Sequence, residues 1–287
     1  MQAQYAVAGA TPRGLFLDAP SGRVFAVHHG PAVDSPVRGH VLFVPPFNEE
    51  MNRSRSMMTL QAKALAQMGY GSLVVDLHGT GDSAGEFSDA RWALWQSDIL
   101  AAHQWLAQQP GGCFALLGIR LGAILAAQVF DRLIPAATAL VLWQPVLEGK
   151  VHLTQFLRVR MAAQLDRPHL PKETTASMRD QLSKGTSLEV AGYEIHPELA
   201  RDIDALHMVD HAPASQARVL WMESAGGDGT NLTPSSKKVA TAWVDRGVAV
   251  DTAVFSGPAF WQVHERVITT SVIALTCAWL EKRVINP

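Results

Sequence analysis

The run Cys113-Phe114-Ala115-Leu116-Leu117-Gly118-Ile119-Arg120-Leu121-Gly122 decides the architecture. Cys113–Ile119 is an apolar segment of strand length, and Leu121–Leu133 reads as a helix. Only Arg120 separates them, so the chain must turn sharply from strand to helix. Glycines two before and two after the central residue let the two elements pack closely around it. The pattern is that of a nucleophile elbow, G-x-S-x-G, with Arg120 where the attacking serine belongs.

On either side of this run, short apolar segments alternate with amphipathic stretches, which predicts a mostly parallel sheet covered by helices. Strands are expected at Gly14–Leu17, Arg23–His28, His40–Val44, Ser72–Asp76, Cys113–Ile119, Ala139–Trp143, Arg218–Met222 and Ala249–Phe255. The first two are joined by Pro20, Ser21 and Gly22 as a hairpin. Helices are expected near Ser56–Met68, Asp89–Gln108, Leu121–Leu133, Pro234–Arg246 and Val263–Lys282. The rhythm breaks after Trp143. Residues 148–215 are richer in charge, lack buried-strand runs and contain an irregular stretch at Glu189–Pro197, so they read as an inserted cap on a core of residues 1–147 and 216–287.

Composition narrows the class. Of 287 residues, 48% are hydrophobic and the net charge is −2, enough apolar material for a folded core and no basic excess for nucleic acid. Cys113 and Cys277 lie far apart in apolar stretches and read as small core residues. Met1–Gly14 lacks a signal-peptide pattern, and Val267–Leu280 is too short to span a bilayer, so a cytoplasmic location is expected.

Two other glycine motifs compete with the first. Gly81-Asp82-Ser83-Ala84-Gly85 matches G-x-S-x-G literally, but it follows a loop rather than a strand, which makes Ser83 a local hydrogen-bonding hydroxyl. Gly79-x-Gly81-x-x-Ala84 imitates a dinucleotide fingerprint, but its helix starts too late to receive a pyrophosphate. His207, Asp210 and His211 form a lone cluster with no second set of ligands, so neither a metal nor a cofactor is expected.

Val44-Pro45-Pro46-Phe47-Asn48-Glu49-Glu50-Met51-Asn52, the loop Asp76–Ser83 and Gly118–Gly122 together resemble the α/β-hydrolase superfamily, in particular the hydrolases associated with exosortase A systems. Those are encoded beside bacterial exopolysaccharide and protein-sorting machinery. The resemblance implies an α/β-hydrolase fold: an eight-stranded, mostly parallel sheet with helices on both faces and a cap after the sixth strand. It also implies a hydrolase, without naming a substrate; the activity expected here is that of a hydrolase (or acyl transferase) acting on a small ester or thioester.

Carried over position by position, the oxyanion loop falls on Pro46, Phe47 and Asn48, and the second backbone donor on Leu121. The triad base falls on His264, and the triad acid on either Glu223 or Asp228. Phe260 and Trp261 would flank the pocket. The nucleophile falls on Arg120, which departs from the family pattern.

Arg120 is permanently charged and cannot form an acyl-enzyme. Buried at a helix N-terminus, it requires an anion. Glu49 or Glu50, in the facing loop, can supply one as a structural ion pair, or an anionic group of the ligand can. The competing functional expectation is a catalytically inactive binding or scaffold protein on the same fold.

Overall fold

The computed structural model describes residues 11–33, 35–164, 173–214, 216–224, 231–263 and 265–285. All eight expected strands are present in one sheet: β1 (Arg13–Ala19), β2 (Gly22–His29), β3 (Gly39–Val44), β4 (Tyr70–Val75), β5 (Cys113–Ile119), β6 (Ala139–Trp143), β9 (Arg218–Ser224) and β10 (Ala249–Phe255). Their spatial order is β1-β2-β4-β3-β5-β6-β9-β10. β1–β2 and β2–β4 pair antiparallel, and every other pair is parallel. The central strands β3, β4 and β6 are buried along their whole length, as their unbroken apolar runs require of strands covered on both faces.

Alternation along those strands divides the core in two. Leu42, Val44, Leu116, Leu140 and Leu142 face one layer, which includes α2 (Trp92–Ala107) and α3 (Leu121–Phe130). Val41, Phe43, Leu117, Val141 and Trp143 face the other, with α1 (Glu49–Gln67) and α8 (Thr270–Ile285). After β3 the chain crosses by way of α1 to β4 on one side. After β5 it crosses by α3, on the opposite face, to β6 on the other side. Strand order therefore reverses between β3 and β5, and their carboxyl ends form the crevice where α/β sheets hold ligands.

Between β6 and β9 lie α4 (Gly149–Gln164), α5 (Thr175–Ser183), a hairpin of β7 (Leu188–Val190) and β8 (Tyr193–Ile195), and α6 (Pro197–Asp204). The stretch expected to be irregular at Glu189–Pro197 is thus mostly this hairpin. Ala191 (φ 52°) and Gly192 (φ 84°) both take the left-handed conformation of a tight two-residue turn. Several helix boundaries also differ from expectation: α2 starts at Trp92 rather than Asp89, after a separate 3-10 turn at Phe87–Asp89, and the last helix ends at Ile285 rather than Lys282. α1 starts at Glu49 rather than Ser56, because the chain turns into the helix at Asn48, four residues after β3 ends. α3 ends at Phe130, short of Leu133. The last helix starts at Thr270 rather than Val263, after a loop in which the Thr269 hydroxyl donates to the Pro258 carbonyl (2.8 Å). α7 (Pro234–Asp245), between β9 and β10, matches its expected span to within a residue.

Candidate functional site

The elbow is built as its glycines imply. A Cβ on Gly122 would lie 2.2 Å from the Pro45 carbonyl oxygen, and one on Gly118 would lie 2.6 Å from the Ala123 Cα. α3 can pack this closely on β5 and against the end of β3 only if both positions lack a side chain. Between them Arg120 adopts φ 55°, ψ −120°, a conformation that costs a non-glycine residue about 1–3 kcal/mol. Its surroundings impose it: the Arg120 N–H donates to the Trp143 carbonyl (3.0 Å), and its own carbonyl accepts from Ala123 (3.1 Å) and Val146 (3.2 Å). Asn48, at the junction of β3 and α1, repeats the geometry with φ 51°, ψ −128°. Two equivalent corners thus stand on adjacent strands.

Of the two facing carboxylates, Glu50 takes the Arg120 guanidinium. Arg120 Nε donates to both of its oxygens (3.2 and 3.3 Å) and Nη2 to Oε1 (3.1 Å). Nη1 donates to the Gln144 carbonyl (3.3 Å), and the guanidinium carbon lies 5.4 Å from the Trp261 ring centre. Burial raises the Glu50 pKa above the usual carboxylate range, while the Arg120 charge pulls the other way. Glu49 points elsewhere. Its Oε1 accepts from the Tyr193 hydroxyl (2.8 Å) and from Asn52 (3.3 Å), tying the β7–β8 hairpin to α1.

A cavity of about 610 Å³ opens beside this pair, bounded by Phe47, Asn48, Glu50, Arg120, His152 and Trp261 among others. Its size suits a small organic ligand. His152, from α4, is buried against the Phe47 ring (centroids 5.7 Å apart). Burial, and secondly the nearby Arg120 charge, lower its pKa to about 3, so its imidazole is neutral at pH 7.

The candidate residues divide accordingly. Arg120, Glu49, Glu50, Phe47, Asn48 and Trp261 come together around the cavity. Leu121 is buried as the first residue of α3 and lines a separate narrow apolar cleft with Pro45 and Met51. Glu223, next to last in β9, has both oxygens engaged, Oε2 by the Thr233 N–H (2.9 Å) and Oε1 by the Ser236 hydroxyl, so it anchors the start of α7. His264 and Asp228 lie outside the described residues.

Ser83 sits in its loop, donating to the Asp76 carbonyl (2.5 Å) and accepting from the Phe25 N–H (2.8 Å). His207 pairs with Glu148, and His211 meets Gln128 (3.0 Å). No group of three or more metal-binding side chains gathers among the described residues. None of their helices is long and apolar enough to cross a membrane.

Two residues escaped the sequence reading. His152 is a single histidine in an amphipathic helix, with no spacing signal. Gln144, after β6, takes φ 45° and accepts the Ser224 N–H (2.6 Å) on its side chain while offering Arg120 its carbonyl.

The profile of the X-Pro dipeptidyl-peptidase (S15) family matches residues 31–223, two thirds of the sequence. The chain belongs to the S15 family. The S15 match runs from before β3 to Glu223 and so includes both corners and the segment between β6 and β9.

Solved structures give the same architecture. The ferulic-acid-bound Est1E of Butyrivibrio proteoclasticus is 14% identical, with TM-score 0.65, covering 95% of this chain and 100% of its own. A thermostable carboxyl esterase from Bacillus coagulans, in complex with glycerol, is 13% identical, with TM-score 0.64 and coverage of 95% and 98%. A serine hydrolase without lid from Xanthomonas campestris is 14% identical, with TM-score 0.57 and coverage of 95% and 93%. At these identities the likeness establishes the α/β-hydrolase fold. No curated protein matches the sequence.

Proposed function

We propose that this S15-family chain is a hydrolase that acts on a small ester or thioester without forming an acyl-enzyme. The observation that carries the proposal is Arg120 at the strained β5–α3 corner, a cation with no nucleophilic character standing beside a ligand-sized cavity. Water is then the attacking group. Its oxygen adds to the carbonyl carbon, its proton passes to His264, and the bond to the leaving oxygen or sulfur breaks as that atom takes a proton. The main-chain N–H groups of Phe47 and Leu121 are the proposed donors to the carbonyl oxygen. With Glu223 committed to α7, Asp228 becomes the proposed partner of His264. Residues 148–215 act as the cap over the cavity.

The carboxyl esterase and the ferulic-acid-bound neighbour support an ester-like substrate. The motif resemblance supports work beside an exopolysaccharide or protein-sorting system. An anionic group on the substrate would reach Arg120 only by exchanging with Glu50, which already neutralises it.

A second reading, a binding or scaffold protein that has lost catalysis, is favoured by one observation: the Arg120–Glu50 pair occupies the place where an attacking group would stand. Turnover of 4-nitrophenyl acetate and of an acyl thioester decides between them. The hydrolase reading expects turnover that falls at least about tenfold in His264→Ala, within the usual range for a general base. Absence of turnover, or turnover indifferent to His264→Ala, refutes it. Arg120→Ser reports on the remaining machinery: new esterase activity, with a fluorophosphonate attached at position 120, would mean that only the nucleophile is missing.

A further inference from the structure

The Arg120–Glu50 pair satisfies its own charges, whereas three other polar side chains of the cavity wall have no hydrogen-bond partner among the described residues. Asn48 is 4% exposed, and neither its amide nitrogen nor its amide oxygen has a partner among the described residues. His152 is 6% exposed, and neither ring nitrogen has one. The indole N–H of Trp261, 3% exposed, is likewise without one. All three residues line the same cavity. Buried polar atoms are normally paired, so three such side chains around one space point to a ligand that completes them.

Their chemistry selects the ligand. A carboxamide offers both donors and an acceptor, a neutral imidazole one of each, and an indole one donor. None carries charge at pH 7, since His152 is held neutral by burial. The charged groups of the wall balance, Arg53 and Arg120 against Glu49 and Glu50, so it offers a ligand carboxylate no net attraction. The backbone fixes the arrangement: Asn48 is locked at its corner with φ 51°, and His152 is wedged against Phe47.

We infer that Asn48, His152 and Trp261 form a subsite for a neutral group that both donates and accepts hydrogen bonds, a primary carboxamide on an aromatic or apolar body being its simplest form. Phe47 and Phe156, whose rings meet at 5.1 Å, supply apolar wall for that body. This rests on the cavity being the ligand site proposed above, but not on turnover.

Benzamide and benzoate are probes of equal size that differ in charge. Titrated calorimetrically into the full chain at pH 7, benzamide is expected to bind at least about tenfold more tightly than benzoate, the discrimination of one well-made hydrogen bond. His152→Phe and Asn48→Gly are each expected to weaken benzamide by at least about tenfold. The unliganded His152→Phe protein is expected to unfold at a higher temperature than the wild type, because it removes two unmet polar atoms from a buried position. A histidine with a purely structural role would give a lower one.

Should His152→Phe not fold, Asn48→Gly carries the test alone, glycine being at ease with φ 51°. Benzoate binding as tightly as benzamide, benzamide failing to bind at millimolar concentration, or both variants binding it like wild type would each overturn the inference. Benzamide binding in a protein without ester turnover would remove the catalytic reading and leave this one standing. Turnover that benzamide does not inhibit would do the reverse.

Discussion

Replacing Glu50 with alanine isolates the energetics of the elbow. The substitution removes the acceptor of the Nε and Nη2 bonds and leaves a guanidinium that is only 12% exposed, with the Gln144 carbonyl at 3.3 Å and the Trp261 ring as its remaining company. Removing one partner of a buried pair costs about 3–5 kcal/mol. The adjoining cavity admits some water to Arg120, which puts the expected cost near the lower end, about 3 kcal/mol. Unfolding entropy of about 2.1 cal/mol/K per residue gives about 0.6 kcal/mol/K for 287 residues, so Tm should fall by about 5 °C.

Differential scanning calorimetry at pH 8 measures this directly. The double variant Arg120→Leu/Glu50→Leu, which removes both charges and keeps volume, should return to within about 2 °C of wild type, since apolar replacement of a whole buried pair is often neutral. A Glu50→Ala midpoint within 1 °C of wild type would refute the reasoning, as would a double variant that loses the sum of the two single losses.

Three further outcomes are expected. His152 has its folded pKa depressed from 6.5 to about 3, so the stability linked to its neutral form is complete above pH 6.5 and is lost as pH falls toward 3. The loss has an upper limit of about 5 kcal/mol, and His152→Phe should flatten this acid limb in urea titrations; an unchanged limb would contradict the assignment. Gly122→Ala would drive a methyl group to 2.2 Å from the Pro45 carbonyl, and it should abolish soluble folded protein as judged by circular dichroism; a well-folded variant would mean that α3 can retreat from β3. Ser83→Ala should cost about 1–3 kcal/mol by orphaning the Phe25 N–H, yet leave ester turnover per folded molecule unchanged; a selective loss of turnover would make Ser83 functional.

The fold was legible because its signals are local. Unbroken apolar runs such as Leu73-Val74-Val75 mark strands buried on both faces, and Gly118 and Gly122 mark the elbow because their missing side chains are needed for its packing. Glu49 and Glu50 could both be assigned to the loop facing Arg120, but choosing between them needed coordinates. They are consecutive on α1, and the helix sends one toward Arg120 and the other toward Tyr193. His152 was illegible for a different reason. Its role depends on α4 folding back over Phe47, a contact between residues more than a hundred positions apart that leaves no spacing in the sequence. The early start of α1 was hidden by Asn48, because a strained corner of this kind is a tertiary choice rather than a propensity.

The adjacency of Glu49 and Glu50 has a mechanical consequence. One residue of α1 grips the β7–β8 hairpin through Tyr193, and the next grips the β5–α3 elbow through Arg120. Any displacement of the hairpin that drags on Glu49 is delivered, one residue later, to the carboxylate that shields the guanidinium. The β7–β8 hairpin and the carboxylate beside the guanidinium are therefore geared to a single helical turn, and neither can travel far while the other stays still.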